Sequence, residues 1–371
     1  MSASPSPSPP ARDPAAAPPA TTMTSNKPVV LEPARAVVAV FGLLALAGVA
    51  VLLFKRGSEP WRDLSQLPFP LEPCLVPRET LVAPARPDAF PALDEPQLLG
   101  ADEAAGFKIG QGKFLVPGDR VIGTVVEGEA CAFPVRILEW HETLDTTLGG
   151  VPIVVTWAAL SECARVFDRR VGGETLAFHP SGVLSSMNSL LYERRGRGEP
   201  SSLWSQVDGR AVTGPLAARG AVLRPIPAEL LPWGAWKAAH PTTRVLAPDL
   251  RVGKLYKRNP YATYMGRESL PFPVAPLPPA GLSLKARVLA VEVGGERRVY
   301  AVERVSRRAD HSGVWETTQG EVRLRFEVHA DPGGVQPETL RVTRVDGQPI
   351  LSVPALWFAW HAAHPQDRLV D

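Results

Sequence analysis

A histidine held between carboxylates can move protons or take part in binding a metal ion, and Glu139-Trp140-His141-Glu142 supplies that combination. No HExxH spacing completes it, so the competing reading is a core histidine paired with a carboxylate or a backbone carbonyl. A second polar set follows in Ser181-Gly182, Asn188, Tyr192, Arg194 and Trp204-Ser205-Gln206, which brings hydroxyl, amide and guanidinium groups close together along the chain. These residues suit a ligand cleft, and they equally suit the buried polar groups that fix loops between strands. No GxSxG surrounds Ser181, which argues against a hydrolase elbow, and Gly110-Gln111-Gly112-Lys113 has neither Walker nor Rossmann spacing. The candidate cleft is therefore His141, Glu142, Ser181, Asn188, Tyr192, Trp204 and Gln206. No catalytic role, metal or cofactor is assigned. Cys74, Cys131 and Cys163 include no CxxC pair, which excludes a disulfide scaffold or a standard zinc site, although an exported domain would permit a Cys131 to Cys163 bridge.

The elements that would position these groups are mostly short strands. Residues 151–157 read as a buried strand, and 166–178 as two strands joined near Gly172-Gly173. Asp208-Gly209 and Asp346-Gly347 mark two hairpins. Helical patterns are fewer, the clearest being 228–240 and 355–364, each ended by proline.

Those two helices repeat one another. Trp233, Ala235, Trp236, Ala238, Ala239, His240, Pro241 and Arg244 recur at the same spacing as Trp357, Ala359, Trp360, Ala362, Ala363, His364, Pro365 and Arg368. A weaker echo precedes them, with Arg120-Val121-Ile122, Gly128-Glu129 and Phe133 matched by Arg287-Val288-Leu289, Gly295-Glu296 and Tyr300, and Val-Asp-Gly falls at 207 and 345 in the two halves. Recurrence favours a helix that docks its indoles onto a sheet, with His240 capping terminal carbonyls, over an aromatic ligand platform. The expected fold is mostly β (α+β), a duplicated β-rich domain with a first half at 99–270, a proline-rich linker at 271–281 and a second half at 282–371.

The rest of the chain is unlike a packed domain. Residues 1–35 hold nine prolines and few large apolar side chains, the composition of a disordered tail. Residues 36–54 are all apolar or glycine, long enough at about 1.5 Å per residue to span a bilayer, with Arg35 and Lys55-Arg56 at the ends. This reads as an uncleaved single-pass transmembrane helix and makes the lipid bilayer a partner. Residues 57–98 hold nine more prolines and read as an extended stalk. With 40 Lys+Arg against 38 Asp+Glu, no field implies a nucleic-acid partner. Three basic residues just after the helix against two just before it lean toward a cytoplasmic C-terminal domain.

The order of motifs over most of 97–371 resembles a bacterial and archaeal family, domain of unknown function 3179. The matching stretches are Ala132 to Leu138 running into Trp140-His141-Glu142, then Val166-Phe167-Asp168-Arg169, Ser181-Gly182 through Asn188 to Tyr192-Glu193-Arg194, Leu203 to Gln206, Asn259-Pro260-Tyr261 and Trp357 to Trp360. The resemblance implies a Cys-Pro-x-Cys motif after the strand ending at Thr156-Trp157, where this chain reads Ala158-Ala159-Leu160-Ser161. Soft-metal or redox chemistry of thiolates would be lost with that pair. It also implies export, hence an extracytoplasmic domain, against the small charge bias. The resulting expectation is a membrane-anchored, non-catalytic binding or interaction module with a degenerate thiol site and an unknown protein or small-molecule partner. The alternative is a metal-binding or redox-type enzyme with a site rebuilt around His141 and Cys163.

Overall fold

The computed structural model describes residues 63–330 and 336–370. The tail and the transmembrane segment expected at 36–54 lie outside these residues, and among the described residues no helix is long and apolar enough to cross a membrane. The described chain is mostly β, with five principal sheets in a propeller-like succession.

The duplication is visible as register. In the first half, Arg120–Val126 pairs with Glu129–Pro134, setting Ile122 opposite Phe133, while Ala228–Pro232 returns on the outer side with Leu231 opposite Val121. In the second half, Arg287–Val293 pairs with Glu296–Ala301, setting Leu289 opposite Tyr300, and Leu351–Leu356 returns with Ala355 opposite Val288. After each returning strand comes a seven-residue helix, Trp233–Ala239 or Trp357–Ala363, and then a short strand that joins the far edge in parallel, with Arg244 opposite Cys131 and Arg368 opposite Arg298. Period-2 alternation fixes which side chains face inward, so equal registers give equal faces. Each half then adds a second sheet, built on Thr143–Leu148, Val151–Ala158 and Cys163–Asp168 in the first and on Val314–Gln319, Val322–His329 and Thr339–Arg344 in the second.

A third sheet in the first half, Leu81–Val82, Phe178–Ser185, Asn188–Glu193, Leu203–Ser205 and Ala211–Thr213, has no counterpart among the described residues of the second, in keeping with the second half's shorter length. Its Phe178, Leu191 and Trp204 pack on Val154 and Phe167 of the neighbouring sheet.

Several expectations need correction. The segments 228–232 and 351–356 are strands, and each helix starts only at its first tryptophan. Their apolar residues run into the helical pattern without a break, so periodicity alone does not separate the two. Asp346-Gly347 turns the chain from Thr339–Arg344 toward Leu351–Leu356 in a different sheet, so it closes no hairpin, whereas Asp208-Gly209 lies between two paired strands of the third sheet. The two Val-Asp-Gly runs therefore hold inequivalent places. The described part of the expected stalk, from 63 to 98, lies against the sheets: Leu81 pairs with Ser185, Leu93 with Leu144, and Phe69 is buried with Val183 and Leu190. Proline removes donors, yet the few remaining N–H groups suffice for two-residue edge pairings. The 271–281 linker is also anchored, through buried Phe272 and through the Ser186 hydroxyl, which donates to the Ala275 carbonyl at 3.1 Å.

Candidate functional site

Strand Glu129–Pro134 ends in a proline that starts the short helix Val135–Leu138, and the helix delivers Glu139 and His141 into the interior with Glu142 half-buried beside them. Glu142 leaves the helix with a left-handed backbone, φ 60°, and its carbonyl accepts from Trp157 N at 2.8 Å. His141 spans two loops. Its Nδ1 lies 2.7 Å from the Pro91 carbonyl and its Nε2 lies 2.9 Å from the Tyr256 hydroxyl. A carbonyl only accepts, so Nδ1 carries the hydrogen and Nε2 accepts from the tyrosine. Burial lowers the His141 pKa, in keeping with a neutral ring whose two nitrogens are both used. Burial also pushes Glu142 up to about 7, against a hydrogen bond from Tyr261, and pushes Glu139 up to about 7 against the charges of Arg120 and Arg136.

The other five candidate residues do not join them in one concavity. Ser181 Oγ donates to the Leu190 carbonyl at 2.5 Å across its own hairpin. Asn188 Nδ2 reaches the Ala359 carbonyl at 3.0 Å, tying the third sheet to the second tryptophan helix. The Tyr192 hydroxyl donates to Asp88 at 2.7 Å, and Trp204 Nε1 donates to the buried Glu193 carboxylate at 2.6 Å. Gln206 Nε2 donates to Thr156 Oγ1 and to the Cys163 carbonyl. Ser181, Asn188, Trp204 and Gln206 are buried polar groups bonded to neighbouring segments, with Asn188 Oδ1 and Gln206 Oε1 left without a hydrogen-bond partner, while Tyr192 is half-buried. His240 does not cap its helix with a ring nitrogen; its ring leans at 36° against Trp236 with centroids 4.0 Å apart.

The turn that follows Val151–Ala158 is closed. Ser161 N and Oγ both donate to the Ala158 carbonyl, the Tyr264 hydroxyl donates to Leu160 O, and Leu356 N donates to Ser161 O. Glu162, left-handed at φ 44° and 6% exposed, receives Arg120 at 3.1 Å and Arg287 at 2.6 Å. These two arginines hold the same position in the two halves, so the carboxylate is clamped on the line where the halves meet. Burial raises the Glu162 pKa, but the two arginines outweigh it and hold it below the usual value. Cys163 is fully buried with its thiol pushed up to about 12, and Cys131 and Cys163 are free thiols in different sheets. Among the described residues no group of three or more His, Cys, Asp or Glu side chains is placed to hold a metal ion.

The motif segments do converge elsewhere. Arg120, Arg136, Glu139, Lys257, Arg258 and Asn259 line a polar cleft of about 130 Å³. Arg136 is fixed there by Asp119 and by the Phe114 carbonyl at 2.9 Å. Residues 87–367 match the model of a family described as a protein of unknown function, DUF3179. The chain belongs to the DUF3179 family. No curated protein and no solved structure matches it. In this DUF3179 chain the cleft draws on Arg136 and Asn259, which lie within the stretches that carry the resemblance, and on Arg120, which appears in the sequence only as part of the internal echo. Lys257 and Arg258 carry no signal in the sequence beyond standing next to Asn259.

Proposed function

We propose that this DUF3179 protein is a single-pass membrane-anchored, non-catalytic binding module whose β-rich domain lies outside the cytoplasm. The observation that carries the non-catalytic reading is the closed turn from Ala158 to Glu162. Where the resemblance implies two thiols, the chain has apolar side chains and a serine hydroxyl that donates to the Ala158 carbonyl, followed by a carboxylate consumed by two arginines. Nucleophilic or metal chemistry needs donors with free lone pairs, and here His141 and Cys163 offer none toward an open surface. The binding reading rests on the open cleft lined by Arg120, whose guanidinium is bonded to Glu162 of this turn. The anchor rests on 19 consecutive apolar or glycine residues at 36–54.

Elemental analysis of the purified full chain beside His141→Ala tests the non-catalytic reading. Neither protein is expected to carry stoichiometric metal; metal present in the first and lost in the second overturns the proposal. A C-terminal alkaline phosphatase fusion tests the orientation, since that enzyme is active only when exported, and a dark fusion in intact cells sinks the extracytoplasmic placement.

A further inference from the structure

We infer that the cleft above Arg120 binds a small oxyanion, a phosphate or carboxylate group, which deepens the binding-module reading and rests on it. Two of its guanidinium groups are preorganised. Arg120 is held from beneath by Glu162, and Arg136 by Asp119 and the Phe114 carbonyl, so neither has to be ordered when a ligand arrives. Arg258 stands exposed at the rim with Lys257, and no carboxylate among the described residues pairs with either. The acids present are already used: Asp119 holds Arg136 and receives Val116 N, and Glu162 is shared between Arg120 and Arg287. Glu139, the remaining acid on the lining, is buried, and burial pushes it up to about 7, so it is only partly ionised at neutral pH. The cleft therefore presents more positive charge than its own acids offset, directed into a partly desolvated space where charge-assisted bonds are strongest. Its volume of about 130 Å³ leaves room for an oxyanion group.

The second half supplies an internal control. Along the matching strand and helix, Arg136 is replaced by Glu303 and Glu139 by Ser306, while Arg120 persists as Arg287. The cationic lining is thus a property of the first half and not of the repeated scaffold.

The test uses the full chain in nanodiscs of zwitterionic lipid at low ionic strength, titrated calorimetrically with inorganic phosphate, then acetate, against a chloride control. Saturable heat with phosphate or acetate is expected, and the stronger of the two names the group. The surface variant Lys257→Glu/Arg258→Glu, which disturbs no buried contact, is expected to weaken binding on the order of tenfold or more. The inference falls if neither anion gives saturable heat, or if the variant binds as the parent does. In that event a folded, metal-free preparation leaves the non-catalytic reading standing, whereas metal lost with His141→Ala overturns that reading and leaves any oxyanion heat to be judged on its own.

Discussion

The helix that follows the central strand pair differs between the halves in a way their common register does not foretell. In the first, Val135–Leu138 is nearly all buried and is followed by Glu139, Trp140 and His141 inside the protein and by a half-buried Glu142. In the second, Val302–Arg308 buries only Val305, and the matching places hold Ser306, Arg307, Arg308 and Ala309 at or near the surface. One scaffold thus carries buried carboxylates and a cationic cleft in one copy and a solvated helix in the other. Strand pairing and indole packing specify the fold, and the loops and helix ends they leave free carry whatever binding the protein does.

Breaking the joint between the copies should have the largest effect. Glu162→Ala leaves Arg120 buried without its partner, and urea unfolding should register a loss of about 3–5 kcal/mol. Arg287→Ala should cost clearly less, because that side chain is 31% exposed and Arg120 remains on the carboxylate. Equal losses from Arg120→Ala and Arg287→Ala would mean that the clamp is energetically symmetric. The next contrast is Gly123 against Ala290, which share a position under the two tryptophan helices. A Cβ on Gly123 would fall within the ring of Trp236, so Gly123→Ala should cost about 1–3 kcal/mol, whereas Ala290→Gly should cost only about 0.5–1 kcal/mol.

The buried carboxylates make a pH contrast. Glu142 titrates near 7 when folded against a usual 4.5, so folding favours its protonated form. Its contribution is fully present below pH 4.5 and is lost as the pH rises through 7. Glu142→Gln should flatten the melting temperature over that window, while Ala309→Gln should leave the profile unchanged. The smallest contrast is between the two helix-terminal histidines. His364 Nε2 lies 3.0 Å from Asp208, whose pKa is lowered because the imidazole's hydrogen bond and charge outweigh the upward push of burial. That stabilisation is present above the ordinary aspartate range and fades as the pH falls through it. His364→Ala should therefore reduce the acid dependence of stability in that range. His240→Ala, whose ring leans on Trp236, should stay within about 0.5 kcal/mol near neutral pH.

The duplicated tryptophan helix was legible in the sequence because two indoles three apart, with a histidine and a proline at fixed distance, need no long-range information. Trp236 Nε1 bonds Thr243 and Trp360 Nε1 bonds Asp367 seven residues on, so even the partner is local. The strands before each helix were not separable from it, since Ala228–Pro232 and Leu351–Leu356 have continuous apolar faces. Packing of 63–98 was hidden because its partners, such as Ser185 and Leu190, lie about a hundred residues away, where composition carries no signal. The site suffered from the same distance. Ser181 through Gln206 are neighbours in sequence, yet each answers to a different carbonyl or carboxylate, whereas the cleft joins residues 120, 136 and 257–259.

The shared hold on Glu162 bears on how the molecule comes apart. Any opening that separated the two copies would take Arg287 off the buried Glu162 carboxylate and leave that charge to Arg120, and would also release Leu356 N from Ser161 O and Asn188 from Ala359. Intermediates in which one copy is intact and the other melted are penalised at that seam, so the two β-rich halves should unfold in a single cooperative transition despite the proline-rich segment between them.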